Sequence, residues 1–429
     1  MNPHALVVVE ASAAAAEGFY PFSCLHCLWE LRWGPLRLLE WWQHRFPEAR
    51  VAVAVPPERE PWYRSFLARF PGITTAQLHP PLLLLNAQLL PSQATLEVLR
   101  KLWGELGQEN PAWALFCNEV PMAVWIGLPE LPPQLAGLRW GRWDSLCSTF
   151  CAELPRKELP VPMVHFLWDL VAALPAAFAE AEAAFPVGIE SEPWHRRGVW
   201  ILAPERVWIA STAELSPGVV IDARKGAVLI GEEVVVQPHV ALMGPCAIGA
   251  RSLLRAHATV GAYTTIGEHC RIGGEVAHSI FHAYANKQHE GFVGHSYIGE
   301  WVNLGAGTTT SNLKNTYGTV RLRLPMGVVD TGLQFLGTLC GDHTKTAIGT
   351  FLRTGAVLGI SVNVLSGGMQ AQWVPSFAWG DAAQPQPYAW DKALEVAQRM
   401  MARRGKTLLS EEQELFRHEY AHTWLRARS

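Results

Sequence analysis

The chain of 429 residues carries little charge, and that charge nearly balances: Asp, Glu, Lys and Arg make up 17%, with a net charge of −3. No bulk field is left to hold nucleic acid or an anionic membrane surface. No apolar run approaches the ~20 residues that a bilayer-spanning helix needs. The stretch from Met1 to Ala16 has no basic region and meets Glu17 too early for a secretory leader, so a cytoplasmic protein is the expectation. Tryptophan is plentiful except in one place. Of 19, only Trp301 lies between positions 209 and 372, and fourteen precede that interval, which marks a boundary near Trp208. The eight cysteines are scattered. Cys24-x-x-Cys27 and Cys147-x-x-x-Cys151 are a conceivable zinc set, but the loose second pair reads better as buried thiols in a reducing compartment, and no metal site is expected.

What is present is a rhythm of six. Ile230, Val236, Leu242, Ile248, Leu254, Val260, Ile266 and Ile272 recur at that spacing, often followed by glycine as at Gly231, Gly249, Gly261, Gly267 and Gly273. Neither a helix nor a plain strand has that period. A hexapeptide repeat does, and it specifies a parallel β-helix in which each aliphatic residue points inward and stacks on its equivalents. One coil cannot bury its inner face alone, so coils must stack. The frame resumes at Ile298-Gly299, Leu304-Gly305, Leu336-Gly337, Ile348-Gly349 and Ile360, and early rungs are expected at Val199–Leu202, Val207–Ala210 and Val219–Asp222.

Residues 1–190 read as an α/β domain, degenerate and Rossmann-like, with strands at Ala5–Glu10, Val51–Val55 and Leu82–Leu85. Helices are expected at Pro35–Phe46, Trp62–Phe70, Ala94–Leu106 and Val164–Ala184, the last broken near Pro175. Residues 191–375 hold the β-helix, and residues 376–429 a linker and two helices, Asp391–Arg404 and Ser410–Arg426. The repeat is expected to be interrupted at His278–Gly291 and Ser311–Asp330, and loops leaving a regular solenoid are where chemistry is looked for. The first gathers His282, Lys287, His289, Glu290 and, just beyond, His295; imidazole is the natural general base near neutral pH. Around the second, Asn303, Asn312 and Lys314 could hold a sugar or an oxyanion.

The run His289-Glu-Gly-Phe292-Val-Gly294-His-Ser-Tyr-Ile298-Gly299, then Val302-Asn303-Leu-Gly305-Ala306-Gly307-Thr308 and Asn312, resembles the acetyltransferase domain of the bifunctional enzymes that make UDP-N-acetylglucosamine. That resemblance implies a left-handed β-helix with His289 as catalytic base. Asn303, Asn312 and Glu275 would lie at the sugar, Arg255 at its phosphate, and Gly305, Ala306 and Lys345 at acetyl-CoA; Phe292 stands where the family has Tyr. Lys287, His295 and Lys314 join the expected substrate contacts, with His295 the alternative base. Pro21-Phe22-Ser23, Glu30-Leu-Arg32-Trp-Gly34, Asn286–His289 and Gly341–Gly349 resemble a divergent bacterial branch of sugar nucleotidyltransferases. In the first third the Gly-rich phosphate loop is absent, since no glycine precedes Gly18, and Arg32 is the remaining cationic candidate for phosphate.

The resemblance therefore implies acetyl transfer from acetyl-CoA to a hexosamine phosphate or nucleotide sugar, in a homotrimer, with Mg²⁺ required only if the N-terminal domain transfers nucleotidyl groups. A non-catalytic trimeric scaffold that binds a sugar nucleotide is the alternative. Neither nucleic acid nor membrane is expected as a partner.

Overall fold

The computed structural model describes residues 3–67, 72–74, 78–106, 109–381 and 384–426. The N-terminal part is a six-stranded sheet with order Arg50–Ala54, Ala5–Val9, Leu82–Asn86, Val120–Ile126, Ala112–Cys117, Arg156–Glu158. The first three strands are parallel, with Val7 beside both Ala52 and Leu84. Their unbroken aliphatic composition suits strands covered on both faces. Trp29, Trp33, Trp41, Trp42, Trp113 and Trp168 fill one side of this sheet and are fully buried.

Two sequence expectations shift here. Helix Pro35–Phe46 begins only at Leu38, because Gly34, at φ +64°, turns the chain into a two-stranded ribbon, Arg32–Trp33 on Leu36–Arg37. The helix expected at Trp62–Phe70 starts earlier, at Glu60, and is described to Leu67; its expected end lies outside the described residues. The hairpin Ala112–Cys117 with Val120–Ile126 was not legible. Its turn, Asn118-Glu119, has both residues at positive φ without a glycine to advertise it. The break near Pro175 is real: helix Leu167–Ala172 stops and Leu174–Ala184 starts with Pro175 in its first turn.

The hexads wind a three-faced left-handed β-helix. Its first face is a nine-stranded parallel sheet running from Val207–Ile209 to Trp373–Val374. The second face starts at Glu214–Leu215, and the third at Trp200–Leu202. Leu215, Val236, Leu254 and Ile272 stack in register within the second face, all buried. Each such side chain contributes roughly 1.5–3 kcal/mol on burial. At the edges the backbone must enter the left-handed region, which L-residues resist. The chain nonetheless places aromatic rings there. His269, Tyr284, Trp301 and His343 form a stacked ladder along the edge between faces one and two; His278 and His295 stack between faces three and one, with Tyr263 tilted against His278. Stacking along each edge offsets part of that backbone cost.

One expected interruption is not one. Residues 278–291 continue the coil: Ile280 pairs with Thr265, Asn286 with Arg271, and Phe292 with Glu275. The count of six is lost there because the corner after Ile272 is two residues short, so Val276 rather than His278 points inward, and because Lys287 takes the next inward position of the second face, over Ile272. The other interruption is an excursion. Its hairpin, Arg321–Leu324 with Gly327–Asp330, folds back and buries Leu322 and Leu324. Beyond the coils, helices Trp390–Ala402 and Ser410–Arg426 cover Trp301, Ile360, Phe377 and Tyr388.

Candidate functional site at the solenoid edge

The edge between faces two and three is uneven. From Leu254 to Val260, and again from Lys287 to Val293, the chain takes six residues to round it. The intervening coil needs four, from Ile272 to Val276, although Ile272 pairs with Lys287 and Val276 with Val293. Gly273 and Gly274 make the short corner. A side chain on Gly274, at φ +68°, would meet the His289 carbonyl at 2.7 Å. The coil above rounds the same edge with Gly305-Ala306-Gly307, and Gly307 donates its N–H to the Glu290 carbonyl (3.1 Å). His289 and Glu290 thus project, exposed, between two corners almost without side chains.

Lys287 fixes that corner from inside. Its side chain is 1% exposed, and Nζ donates to the carbonyls of Gly273 (2.8 Å) and His289 (2.9 Å). Burial pulls its pKa down to about 8, against the pull of Glu290 and Glu275. The expectation that Lys287 contacts substrate is therefore corrected: the ammonium points into the coil and ties two neighbouring corners together.

The other expected residues divide. Arg255, exposed, lies two coils below His289, with Cβ 3.3 Å from where a Gly273 side chain would begin. Glu275, also exposed, follows the short corner and pairs with Phe292. Asn303 is bridged to Asn286 and Lys345 on face two, and Gly305 donates its N–H to Thr346 Oγ1 (3.0 Å). Arg255, Glu275, His289, Asn303, Gly305 and Ala306 therefore share one edge and its flanks.

Asn312 does not join them. Its Nδ2 donates to His295 Nδ1 (2.9 Å), and the His295 ring lies between His278 and Phe335 on the opposite edge of face three. Burial, then the neighbouring His278, push the His295 pKa down to about 4, so this imidazole is neutral at pH 7 but a weak base. Lys314 closes the root of the excursion by donating to the Thr319 carbonyl. Lys345 donates to the His343 carbonyl (2.6 Å), and burial brings its pKa to about 8.

Arg32 is a second correction. It is 4% exposed and fully engaged: Nε donates to the His282 carbonyl (2.7 Å), Nη1 to the Pro35 carbonyl (3.0 Å), and Nη2 pairs with Glu268. Each guanidinium nitrogen already has an acceptor within the protein. The runs that carried the resemblance in the first third turn out to form a seam between sheet and solenoid. Phe22 packs edge-on against His282 (5.0 Å), His26 bridges Glu30 (3.1 Å) and Asp342 (2.6 Å), and Arg37 pairs with Glu268. The buried His26–Asp342 contact was missed. Cys340 holds the inward position of that coil, in register with Ile298 and Leu358, and Asp342 stands at the corner two residues on.

At the carboxyl end of strand Ala5–Val9, Ser12 caps the short helix Ala13–Glu17 where a Gly-rich loop would stand. Glu10 there is 2% exposed and accepts the Leu28 N–H (2.8 Å). Burial raises its pKa to about 7, with the nearby guanidinium groups of Arg59 and Arg142 pulling the other way. The nearby Glu30 is taken by His26 and Tyr63, and a carboxylate flanked by Arg59 and Arg142 does not suit Mg²⁺. Among the described residues no three His, Cys, Asp or Glu side chains converge to hold a metal. Cys27 and Cys151 belong to separate cores.

The chain is similar to proteins described as bifunctional protein GlmU. It is 32% identical to that of Desulfitobacterium hafniense (strain DSM 10664 / DCB-2) over 196 residues, 40% of this chain and 41% of the relative. To that of Synechococcus elongatus (strain ATCC 33912 / PCC 7942 / FACHB-805) it is 26% identical over 207 residues, 44% of this chain and 42% of the relative. To that of Trichormus variabilis (strain ATCC 29413 / PCC 7937) it is 28% identical over 211 residues, 43% of this chain and 42% of the relative. The chain thus spans about two fifths of the length of the curated relatives it matches. No family model matches it. The similarity supports a divergent GlmU-like resemblance.

Proposed function

We propose that this chain is a sugar-nucleotide-biosynthesis transferase that moves an acetyl group from acetyl-CoA to the amine of a hexosamine phosphate or nucleotide sugar. The observation that carries the reading is the exposed His289 held between two glycine corners. His289 accepts a proton from the attacking amine as it adds to the thioester carbonyl. Asn303 and Glu275 flank the sugar, and Arg255 lies where its phosphate would be met. Gly305 and Ala306 give the acyl donor close access to backbone. Lys287 acts through His289, by holding its carbonyl, and is a positioning residue. A homotrimer, as the resemblance implies, would bring a neighbouring copy to this edge and exclude water from it.

The second reading is a sugar-nucleotide-binding scaffold, and the engagement of Arg32 in the seam favours it for the N-terminal part. That part has no fit for Mg²⁺, so no nucleotidyl step is assigned to it. The test is release of free CoA thiol when the protein meets acetyl-CoA and glucosamine 1-phosphate or a UDP-hexosamine. Turnover with one of these acceptors supports the transferase. Acetyl-CoA binding with no release of CoA thiol in the presence of either acceptor supports the scaffold.

A further inference from the structure

Against face two, beside the His289 corner, helix Trp390–Ala402 and the turn after it close a cavity of about 300 Å³. Five cations line it: Arg271 and Lys345 from the coils, and Arg399, Arg403 and Arg404 from the C-terminal segment. No carboxylate is among its described lining residues. Arg399 is partly neutralised by Glu395 (2.6 Å), whereas Arg271 and Arg403 have no acidic partner among the described ion pairs. Arg404 is anchored, with Nη1 donating to the His269 carbonyl (3.2 Å) and Nη2 to Asn286 Oδ1 (2.6 Å). Burial, then Arg271 and Arg403 among its neighbours, lower its pKa, as expected where like charges are held together. The side-chain amides of Asn286, Gln288 and Asn303 complete the wall.

Such crowding of positive charge costs stability unless an anion relieves it. The cavity also limits what that anion carries. Tyr284 is stacked between His269 (4.6 Å) and Trp301 (4.2 Å), and Trp301 is only 6% exposed. Neither offers a free ring face to a nucleobase. With four cations beyond Arg399, the site suits more negative charge than one phosphate monoester brings.

We propose that this cavity binds a diphosphate group, with the C-terminal helix supplying half of the clamp. Guanidinium forks and an ammonium match phosphate oxygens in charge and geometry. The diphosphate belongs to a larger ligand whose remainder leaves along face two, and both a nucleoside diphosphate and CoA carry the required chemistry. The inference does not depend on acetyl transfer.

The test is calorimetric titration of the full chain with inorganic pyrophosphate, followed by competition with UDP and with CoA. Arg403 is exposed and its side chain makes no described hydrogen bond, so Arg403→Glu changes charge without disturbing a packed side chain. Pyrophosphate is expected to bind wild type and to bind Arg403→Glu about tenfold or more weakly, while His289→Ala binds it as wild type does. Displacement by UDP alone assigns the site to a nucleoside diphosphate, and displacement by CoA alone assigns it to the acyl donor. The inference is overturned if pyrophosphate fails to bind, binds Arg403→Glu as tightly as wild type, or is displaced by neither competitor. Because His289→Ala leaves this readout intact, its failure is distinguishable from failure of the acetyl-transfer reading.

Discussion

The sheet and the solenoid use their charged residues in opposite ways. In the N-terminal sheet region, the cations and carboxylates nearest the expected nucleotide site are turned inward: Arg32 to Glu268, Glu10 to the Leu28 amide, His26 to Glu30 and Asp342. In the solenoid, His289, Glu275 and Arg255 project from an edge whose corners have lost their side chains. The difference teaches that motif residues of a divergent relative can persist because they hold two layers together. Arg32 and Glu30 fit a resemblance by sequence, but packing explains their presence. The solenoid uses Glu268, Asp342 and Lys287 in the same way, but its aliphatic stacks carry the coil at the edge between faces two and three. Charges on its edge are free for chemistry.

The largest effect that would sharpen this comparison is at the seam. Burial opposes protonation of His26, yet Asp342 and then Glu30 hold its pKa well above the ordinary histidine value. His26→Ala leaves both carboxylates buried without their cation and is expected to cost about 3–5 kcal/mol in chemical denaturation near pH 6. A histidine with a raised folded pKa stabilises fully below its unfolded pKa of roughly 6.5, and that stabilisation fades as pH rises through the folded value. The gap between wild type and His26→Ala should therefore shrink as pH climbs above neutrality. A gap independent of pH would break the account of the seam.

Next come the cores. Leu84→Ala in the sheet and Leu254→Ala in the solenoid each remove a fully buried side chain, and each should cost about 2–5 kcal/mol. Because one hydrophobic cluster runs from the sheet's tryptophans to Tyr297 and Leu339 on the solenoid, both variants should lower a single calorimetric transition. Two separate transitions in wild type would show that sheet and solenoid melt independently.

A smaller effect isolates the corner. Lys287 titrates near pH 8 when folded and near 10.5 when unfolded, so the folded state releases its proton first. Its burden on stability is full below pH 8 and is relieved as pH rises toward 10.5, by at most about 3 kcal/mol. Relative to Lys287→Met, wild type should therefore gain stability across that window, as read from urea midpoints. Parallel curves would mean that the ammonium is not buried in the coil.

What could be read from the sequence follows the same division. The hexads announced the solenoid because a period of six has no competing explanation. His289, Asn303 and Gly305 were singled out by the family resemblance and by the two expected loops, and only the folded structure brings them to one edge. Counting failed after Ile272, where a corner two residues short put His278 at the sixth place and made the coil look like a loop, and a charged residue, Lys287, at the next inward position of that face reinforced the error. The resemblance named Asn312, but no period could show its partner, His295, which is set by the path of the Ser311–Asp330 excursion. In the sheet region the strands were legible as aliphatic runs, but the seam was not. A contact such as His26 to Asp342 joins residues 316 positions apart and leaves no periodic trace. The run Arg403-Arg404-Gly405 was visible as part of the resemblance, but the coil residues it faces were not, for the same reason.

The most direct measurement is single-turnover acetyl transfer by His289→Ala and His295→Ala under one set of conditions. Loss of a general base should lower the rate of His289→Ala by about 10²–10⁴-fold, with His295→Ala within tenfold of wild type. Wild-type turnover by His289→Ala, or the larger loss in His295→Ala, would contradict the assignment of chemistry to the edge between faces two and three.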